Sequence, residues 1–288
     1  MTTDAGADAP IDATALVRQG TGLLAKAGCE TPGLDAELLV AHALGTDRAG
    51  LFRLAGEAVS EPKRRIAADL IERRTGREPV AQIIGRRWFR NIELVVSRDV
   101  LTPRPETELL VEWGLALPNG ARVADIGTGS GAIALALADE RPDLDIVATD
   151  LSQEALRIAA ANAGRLGLDV ALAAGDLLDA VDGPLDAVIS NPPYVPDSDL
   201  VALAPEVTEW EPRIALTPGP SGLETIERLA GQASNRRIGR IALEVGSGQA
   251  PAVADLLRGL GWSEVSVLED LAGIERVVAG DGFGTVAG

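Results

Sequence analysis

One stretch of sequence decides the fold, Val123-Ala124-Asp125-Ile126-Gly127-Thr128-Gly129-Ser130-Gly131. Its apolar first half predicts a buried strand, and its glycines precede an alanine- and leucine-rich run that predicts a helix. Glycines suit such a junction because a Cβ would keep a ligand away from the backbone, and the first N–H groups of a helix are free to bind it. The stretch therefore predicts a ligand loop at the edge of a doubly wound sheet.

Strands and helices alternate after this loop. The predicted strands cover residues 122–126, 145–149, 169–174, 185–190 and 241–245, with a terminal pair at 264–268 and 275–279. The predicted helices cover residues 131–140, 152–166, 222–233 and 250–260. This alternation predicts an α/β domain in which helices cover both faces of a mostly parallel sheet.

The N-terminal part has a different pattern. Amphipathic segments at residues 13–27, 34–44 and 61–74 predict a small helical bundle, with Gly28, Gly45 and Gly76 where helices would end. Residues 79–103, which include 82–85, predict a pair of strands that joins two domains. We therefore divide the chain into a flexible tail (1–10), a helical domain (11–78), a hairpin linker (79–103) and the α/β domain (104–288).

Composition narrows the class of protein. The 288 residues include 26 Lys and Arg against 43 Asp and Glu, a net charge of −17. Such a charge repels phosphate backbones and disfavours a protein whose whole surface binds nucleic acid. The acidic N-terminus does not resemble a signal peptide, and no apolar run approaches the roughly 20 residues of a membrane span. We expect a soluble, cytoplasmic protein without a membrane partner.

Two residues limit the possible chemistry. Cys29 is the only cysteine, so neither an intramolecular disulfide nor a cysteine-based metal cluster can form. His42 is the only histidine, and the apolar periodicity around it predicts an ordinary helix position. We therefore expect no metal and no Ser-His-Asp catalysis.

Acidic residues at the predicted strand ends fit a nucleoside ligand. Asp150 lies 19 positions after Gly131 and could accept hydrogen bonds from two ribose hydroxyls, although a helix-capping role beside Ser152 also explains it. Asp125 is placed to hold an ammonium group. Asp176 could reach an adenine amino group, or could be a simple turn residue. The glycine spacing differs from Gly-x-Gly-x-x-Gly, which makes a dinucleotide less favoured.

A second motif, Asn191-Pro192-Pro193-Tyr194, follows the predicted strand at 185–190. Two prolines stiffen the turn and leave the Pro192 carbonyl free to accept, and Asn191 adds a side-chain oxygen. Two fixed acceptors suit a planar NH2 group. Tyr194 supplies an aromatic face for that group and for positive charge that develops on it.

These motifs together resemble a known family. Asn-Pro-Pro-Tyr, the glycine loop and Asp150 are similar to those of Rossmann-type S-adenosylmethionine-dependent amino methyltransferases. Residues 101–108, which include Pro-Arg-Pro-Glu-Thr, and residues 211–216, 243–246 and 270–277, which include Asp-Leu-Ala-Gly, narrow the resemblance. Over nearly the whole chain the sequence resembles the peptide chain release factor N5-glutamine methyltransferases.

The resemblance implies an activity and a set of site residues. The methyl donor would be S-adenosyl-L-methionine, the product S-adenosyl-L-homocysteine, and the substrate the glutamine of a Gly-Gly-Gln loop in release factors. Asn191, Pro192 and Tyr194 would be catalytic, and these three with Pro193 would bind the substrate. The implied cofactor-binding residues are Asp125, Gly127, Thr128, Gly129, Ser130, Gly131, Asp150, Asp176, Leu177 and Asn191. Leu177 departs from the family pattern, since relatives often carry an aromatic residue there to stack on adenine.

Two other functions fit parts of the sequence. A nucleic-acid adenine N6-methyltransferase also needs acceptors for a planar NH2 group, such as that of a flipped base. The charge of −17 and the absence of an evident target-recognition segment speak against it. A protein that only binds the nucleoside is disfavoured because the glycines, Asp150 and Asn191 are all present.

One segment carries a charge opposite in sign to that of the whole chain. Residues 63–90 contain nine basic and three acidic residues, a local charge of +6, so the rest of the chain carries −23. A solvated helix face explains this basic strip as well as a binding surface does. The hypothesis that it docks an acidic surface of a release factor centres on Arg73 and Arg74.

Overall fold

The computed structural model describes residues 11–283, so the predicted tail at 1–10 lies outside the described residues. The chain divides into two compact units, one ending at Gly85 and the other beginning at Arg86. The first unit is helical and the second contains every β-strand of the described residues.

Within residues 11–85, the N-terminal unit holds the three predicted helices and two that were not predicted. The helices are α1 (Ala13–Lys26), α2 (Pro32–Leu44), α3 (Arg48–Arg53), α4 (Glu61–Thr75) and α5 (Val80–Ile84). The expectation that residues 82–85 belong to the strand pair was wrong, because they form and end α5. A short apolar run does not distinguish strand from helix, and here Gly85, with φ +77°, ends the helix in the left-handed conformation.

A buried ion pair joins two helices of this unit. The Arg74 guanidinium donates from Nε to Asp35 Oδ2 over 2.7 Å, and each side chain is only 7% exposed. Thr31 also donates to Asp35 from its hydroxyl. Arg73 pairs with Glu78 nearby. The two residues at the centre of the docking hypothesis therefore form ion pairs within the unit, and Arg74 is part of its core.

The C-terminal unit begins with a hairpin of β1 (Arg86–Phe89) and β2 (Ile92–Val95). A seven-stranded sheet follows, with the order β5-β4-β3-β6-β7-β9-β8. Its strands are β3 (Arg122–Ile126), β4 (Asp145–Asp150), β5 (Ala171–Ala174), β6 (Ala187–Ser190), β7 (Arg240–Glu244), β8 (Trp262–Glu269) and β9 (Glu275–Phe283). The first five in this order run parallel, and β9 lies antiparallel to both of its neighbours.

Helices cover both faces of this sheet, as the alternation predicts. They are α6 (Glu108–Leu115), α7 (Ala132–Glu140), α8 (Gln153–Leu166), α10 (Glu224–Asn235) and α11 (Ala250–Leu260), whereas the four-residue helix α9 (Pro205–Thr208) contains no buried residue. One core cluster contains residues of α6, α7 and α8, and a second contains residues of α10 and α11. The α/β class is confirmed, and α6 is a helix that the sequence pattern did not predict.

Across residues 11–283 no helix combines the length and the apolar character that a bilayer crossing requires.

Removing one partner of the buried pair tests its role in the N-terminal unit. Asp35→Ala is expected to lower the free energy of unfolding of this unit by about 3 to 5 kcal/mol, because Arg74 would remain buried without its carboxylate. Urea denaturation followed by circular dichroism measures the change. The matched control is Glu37→Ala on the same helix, which removes the exposed pair with Arg48 and is expected to cost about 1 kcal/mol or less. Equal effects of the two variants would contradict a structural role for the Asp35–Arg74 pair.

Candidate active site

The glycine loop connects β3 to α7 at the carboxyl edge of the sheet. Gly127, Gly129 and Gly131 have φ values of +72°, +57° and +85°, a conformation that residues with a Cβ rarely adopt. The N–H groups of Gly127 and Thr128 donate to the Thr149 carbonyl over 2.9 and 2.8 Å. The loop is therefore fastened to the neighbouring strand β4, and the glycines are required by the backbone itself.

Asp125 lies beneath this loop. Its side chain is fully buried, and its Oδ2 accepts from the Thr128 hydroxyl over 2.6 Å and from the Ala134 N–H over 3.1 Å. Burial raises the pKa of its carboxyl to about 7. The cavity beside the loop is lined by residues 126–130 but not by Asp125. The carboxylate shapes the loop from below, and its role in holding a ligand's ammonium group stays a prediction.

Asp150 ends β4 and lines the cavity. Its Oδ2 accepts from the Gly129 N–H over 2.9 Å, and its Oδ1 accepts from the Ser152 N–H over 2.8 Å. Burial raises the pKa of this carboxyl. Ser152 itself caps α8 by accepting from the Ala155 N–H. Asp150 thus braces the loop and the start of α8, and each of its oxygens keeps acceptor capacity.

Asp176 and Leu177 follow strand β5 and line the same cavity. Asp176 forms an ion pair with Arg228 of α10, a lining residue that sequence reasoning did not identify. Leu177 has φ +52°, a strained conformation for a branched side chain. Such strain is concentrated at ligand sites, where the surrounding structure holds it in place.

The Asn191-Pro192-Pro193-Tyr194 turn follows β6 on the other side of β3. Asn191, Pro192 and Pro193 line the same cavity, whose volume is about 310 Å³. Tyr194 instead lines a second cavity of about 190 Å³, which shares Asn191 as a wall. The turn therefore separates two spaces, and a cavity of the larger size suits a small-molecule ligand.

A buried polar cluster stands behind this turn. Asn191 donates from Nδ2 to the Thr107 hydroxyl over 3.0 Å, and Thr107 donates to Glu244 Oε2 over 2.7 Å. The Tyr194 hydroxyl donates to Glu244 Oε1 over 3.3 Å. Burial, followed by the charge of Glu244, raises the pKa of Tyr194 above its usual range, so its phenol stays protonated. The role of Thr107 and Glu244 was missed, although both lie in segments that carry the family resemblance.

A second buried carboxylate joins two walls of the cavities. Glu211 accepts from the Thr102 N–H over 3.2 Å and pairs with Arg104 over 2.7 Å. Its side chain is 1% exposed, and burial raises its pKa. The segment before α6 is thereby held to the segment after the Asn-Pro-Pro-Tyr turn. Among residues 11–283, no cluster of His, Cys, Asp or Glu is arranged to hold a metal ion.

Comparison with known proteins identifies the two units. Family models described as "PrmC N-terminal domain" and "Methyltransferase small domain" match residues 15–85 and 95–207. The fold is also similar to the crystal structure of the hMettl16 catalytic domain in complex with a MAT2A 3'UTR hairpin. The TM-score is 0.55 at 16% identity, over 65% of this chain and 74% of that one.

Curated relatives extend the similarity along the chain. The release factor glutamine methyltransferase of Cereibacter sphaeroides is 44% identical, over 91% of this chain and 96% of the relative. The corresponding proteins of Rhodospirillum rubrum and Deinococcus radiodurans are 43% and 38% identical over 91% of this chain, and over 82% and 96% of their own lengths.

The fold, the glycine loop and the Asn-Pro-Pro-Tyr turn together define a Rossmann-like methyltransferase that uses S-adenosyl-L-methionine. Within this class, the chain belongs to the release factor glutamine methyltransferase family, since relatives of 38 to 44% identity match about nine-tenths of it. The family resemblance found in the sequence is confirmed.

The shape of the glycine loop can be tested at Gly131. A Cβ there would lie 2.8 Å from Cδ1 of the buried Leu135, at a φ of +85°. Gly131→Ala is therefore expected to destabilise the C-terminal unit by about 1 to 3 kcal/mol and to weaken cofactor binding. Gly164→Ala in α8 is the control, because a Cβ there meets nothing within 4 Å and should stabilise by about 0.5 to 1 kcal/mol. Thermal unfolding with and without S-adenosyl-L-methionine measures the stability and the cofactor binding of both variants. Unchanged stability and binding in Gly131→Ala would contradict the loop geometry.

Proposed function

We propose that this protein methylates the side-chain amide nitrogen (N5) of the glutamine in the Gly-Gly-Gln loop of peptide chain release factors. One observation carries the proposal: Asn191 donates its NH2 group to Thr107, which leaves its oxygen as an acceptor at the wall between the two cavities. An acceptor at that wall suits the NH2 group of a planar amide. The names of the relatives supply the substrate.

We propose that the larger cavity binds S-adenosyl-L-methionine. A Cβ at Gly127 or Gly129 would meet open space, so the loop offers bare backbone for a ligand to approach. We propose that residues 127–131 contact the cofactor through this backbone, that Asp150 accepts from its ribose, and that Asp176 and Leu177 bound its adenine. Leu177 would cover the ring by apolar contact where relatives use an aromatic face.

The rate of the reaction depends mainly on how the protein positions the substrate amide. An amide nitrogen is a poor nucleophile because its lone pair is delocalised into the carbonyl, and the sulfonium of the bound cofactor supplies an activated methyl group. Holding the amide in line with that methyl can contribute about 7 to 11 kcal/mol. Acceptors at Asn191 and the Pro192 carbonyl would stabilise positive charge on the nitrogen. Tyr194, kept neutral, would hold the amide plane, and the proton leaves after transfer.

Mass spectrometry of a release factor incubated with the enzyme and S-adenosyl-L-methionine tests the substrate. The peptide with the Gly-Gly-Gln glutamine is expected to gain one methyl group, and a release factor with Asn at that glutamine serves as control. The alternative, an adenine amino group, receives no support from the curated relatives. Labelled methyl groups on DNA or RNA instead of the release factor would favour that alternative, and no transfer to any of them would favour a binding protein.

Asn191→Ala tests the acceptor. It is expected to abolish methyl transfer while cofactor affinity changes by no more than about 1 kcal/mol, the worth of one hydrogen bond. Turnover and calorimetric titration measure the two effects. Asn119→Ala, at an exposed loop position, is the control. Near-normal turnover in Asn191→Ala would remove Asn191 from the reaction.

Asp150→Ala tests the cofactor site. Its affinity for S-adenosyl-L-methionine is expected to fall by about 1.5 to 3 kcal/mol, the range for hydrogen bonds to a charged group. The matched control is Asp145→Ala at the other end of β4, where the side chain only pairs with Arg122 at the surface. Unchanged calorimetric affinity in Asp150→Ala would leave Asp150 as a structural brace alone.

We also propose that the helical residues 11–78 dock the release factor, that residues 104–288 carry out the transfer, and that the protein works in the cytoplasm, where translation terminates. The family model that covers residues 15–85 supports only the division of the chain into a separate N-terminal domain. Hydrogen exchange on the full chain tests it, with a release factor added in the presence of S-adenosyl-L-homocysteine. Protection within residues 11–78 is expected, and protection confined to residues after 85 would contradict a docking role.

A further inference from the structure

One buried carboxylate, that of Glu244, supports both side chains that would meet the substrate amide. It binds Thr107, which in turn binds Asn191, and it binds Tyr194 directly. Glu244 is the last residue of β7 and is 2% exposed. Its Oε2 accepts from Thr107, and its Oε1 accepts from the Tyr194 hydroxyl. An ionised carboxylate only accepts, so both hydroxyl hydrogens must point towards it.

This direction continues to Asn191. The Thr107 hydroxyl has a single hydrogen, which it donates to Glu244 over 2.7 Å, so towards Asn191 it can only accept. The Asn191 NH2 group must therefore face Thr107, over 3.0 Å, and its Oδ1 faces away. The charge on Glu244 thus sets which end of the Asn191 amide is presented to the cavity.

We propose that Glu244, acting through Thr107, is a positioning residue for methyl transfer that keeps the oxygen of Asn191 towards the substrate NH2 group while it holds Tyr194 in place. The inference rests on the proposed function, because it gives a reason why the site accepts an NH2 donor. Glu244 lines neither cavity, whereas Thr107 also lines the larger one.

The surroundings of Glu244 make its charge sensitive to pH. Burial raises the pKa of this carboxyl to about 7, the hydrogen bonds from Thr107 and Tyr194 oppose the rise, Glu106 adds to it and Arg276 opposes it. Strand β6 carries no titratable residue. The acids of α6 lie close to Arg90, since Glu108 accepts from its N–H and Glu112 pairs with its guanidinium.

Protonation would reverse the chain of donors. A protonated Glu244 can donate to Thr107, whose hydrogen is then free to turn towards Asn191 and draw the Asn191 oxygen inward. The NH2 group of Asn191 would then face the NH2 group of the substrate. Because the raised pKa lies near 7, the productive ionised form is lost as pH falls through this value, and turnover should fall with it. Asp125 has a similarly raised pKa, so the wild-type profile alone does not identify the group.

The Glu244→Gln variant distinguishes the titration of Glu244 from that of Asp125. In the whole chain, kcat for a release factor is expected to fall at least tenfold at pH 8, because Gln has a single acceptor oxygen and leaves either Thr107 or Tyr194 without an acceptor. The fall of kcat near pH 7 should disappear. The affinity for S-adenosyl-L-methionine should stay within about twofold, since one hydrogen bond or less is altered at a distance from the cofactor site. Glu264→Gln on the exposed face of β8 is the matched control and should behave as the wild type.

Thr107 offers a pair of nearly isosteric variants. Thr107→Val removes the hydroxyl and should lower kcat at least tenfold, whereas Thr107→Ser keeps the hydroxyl and should restore most of it. Thermal unfolding and circular dichroism show whether each variant is folded. Equal kcat in the two variants, or a wild-type kcat and pH profile in Glu244→Gln, would overturn the inference.

A measurement without substrate tests this inference independently of the proposed function. In 15N-labelled enzyme, the side-chain NH2 signals of Asn191, assigned by their loss in Asn191→Ala, should titrate near pH 7. They should be insensitive to pH in Glu244→Gln and shifted in Thr107→Val. Signals that titrate identically in wild type and Glu244→Gln contradict the inference even if release factors are methylated. The expected NMR behaviour without any methylation contradicts only the proposed substrate.

Discussion

The parallel hydrogen-bond ladder around β3 is the constraint on which the site depends. Ile126 pairs in register with Thr149 of β4 and Ser190 of β6. The neighbouring strands β4, β3 and β6 therefore end side by side at the carboxyl edge of the sheet. The chain must leave them side by side, which brings the glycine loop, Asp150 and Asn191 to one edge. A slip of one residue in either pairing would turn alternate side chains to the other face of the sheet and scatter the site.

Buried carboxylates then give this edge its shape. Asp125 holds the glycine loop from below, Glu211 holds the segments on either side of the cavities together, and Glu244 holds the Asn-Pro-Pro-Tyr turn from behind. Burying a charge is costly unless hydrogen bonds satisfy it, and a satisfied network leaves its members few alternative arrangements. A reaction that relies on orienting a weak nucleophile benefits from such rigidity, because small displacements lower its rate.

Local signals predicted most of the fold. The boundaries of β3 and α11 agree with the pattern, because apolar periodicity and helix-ending glycines are properties of neighbouring residues. The pattern was wrong at residues 82–85, where a short apolar run suits a helix as well as a strand. It also gave no indication of α6, whose burial comes from packing on the sheet rather than from strong caps.

By itself, the sequence determined the α/β class, the loop at Gly127, the turn at Asn191 and the family to which the chain belongs. The tertiary structure alone decided which carboxylate meets which partner: Asp125 beneath the loop, Arg228 on Asp176, and Glu244 on Thr107. Thr107 and Glu244 lie 137 residues apart. No local spacing encodes such a contact, because it arises only when the sheet register and the packing of the preceding segment bring the two side chains together.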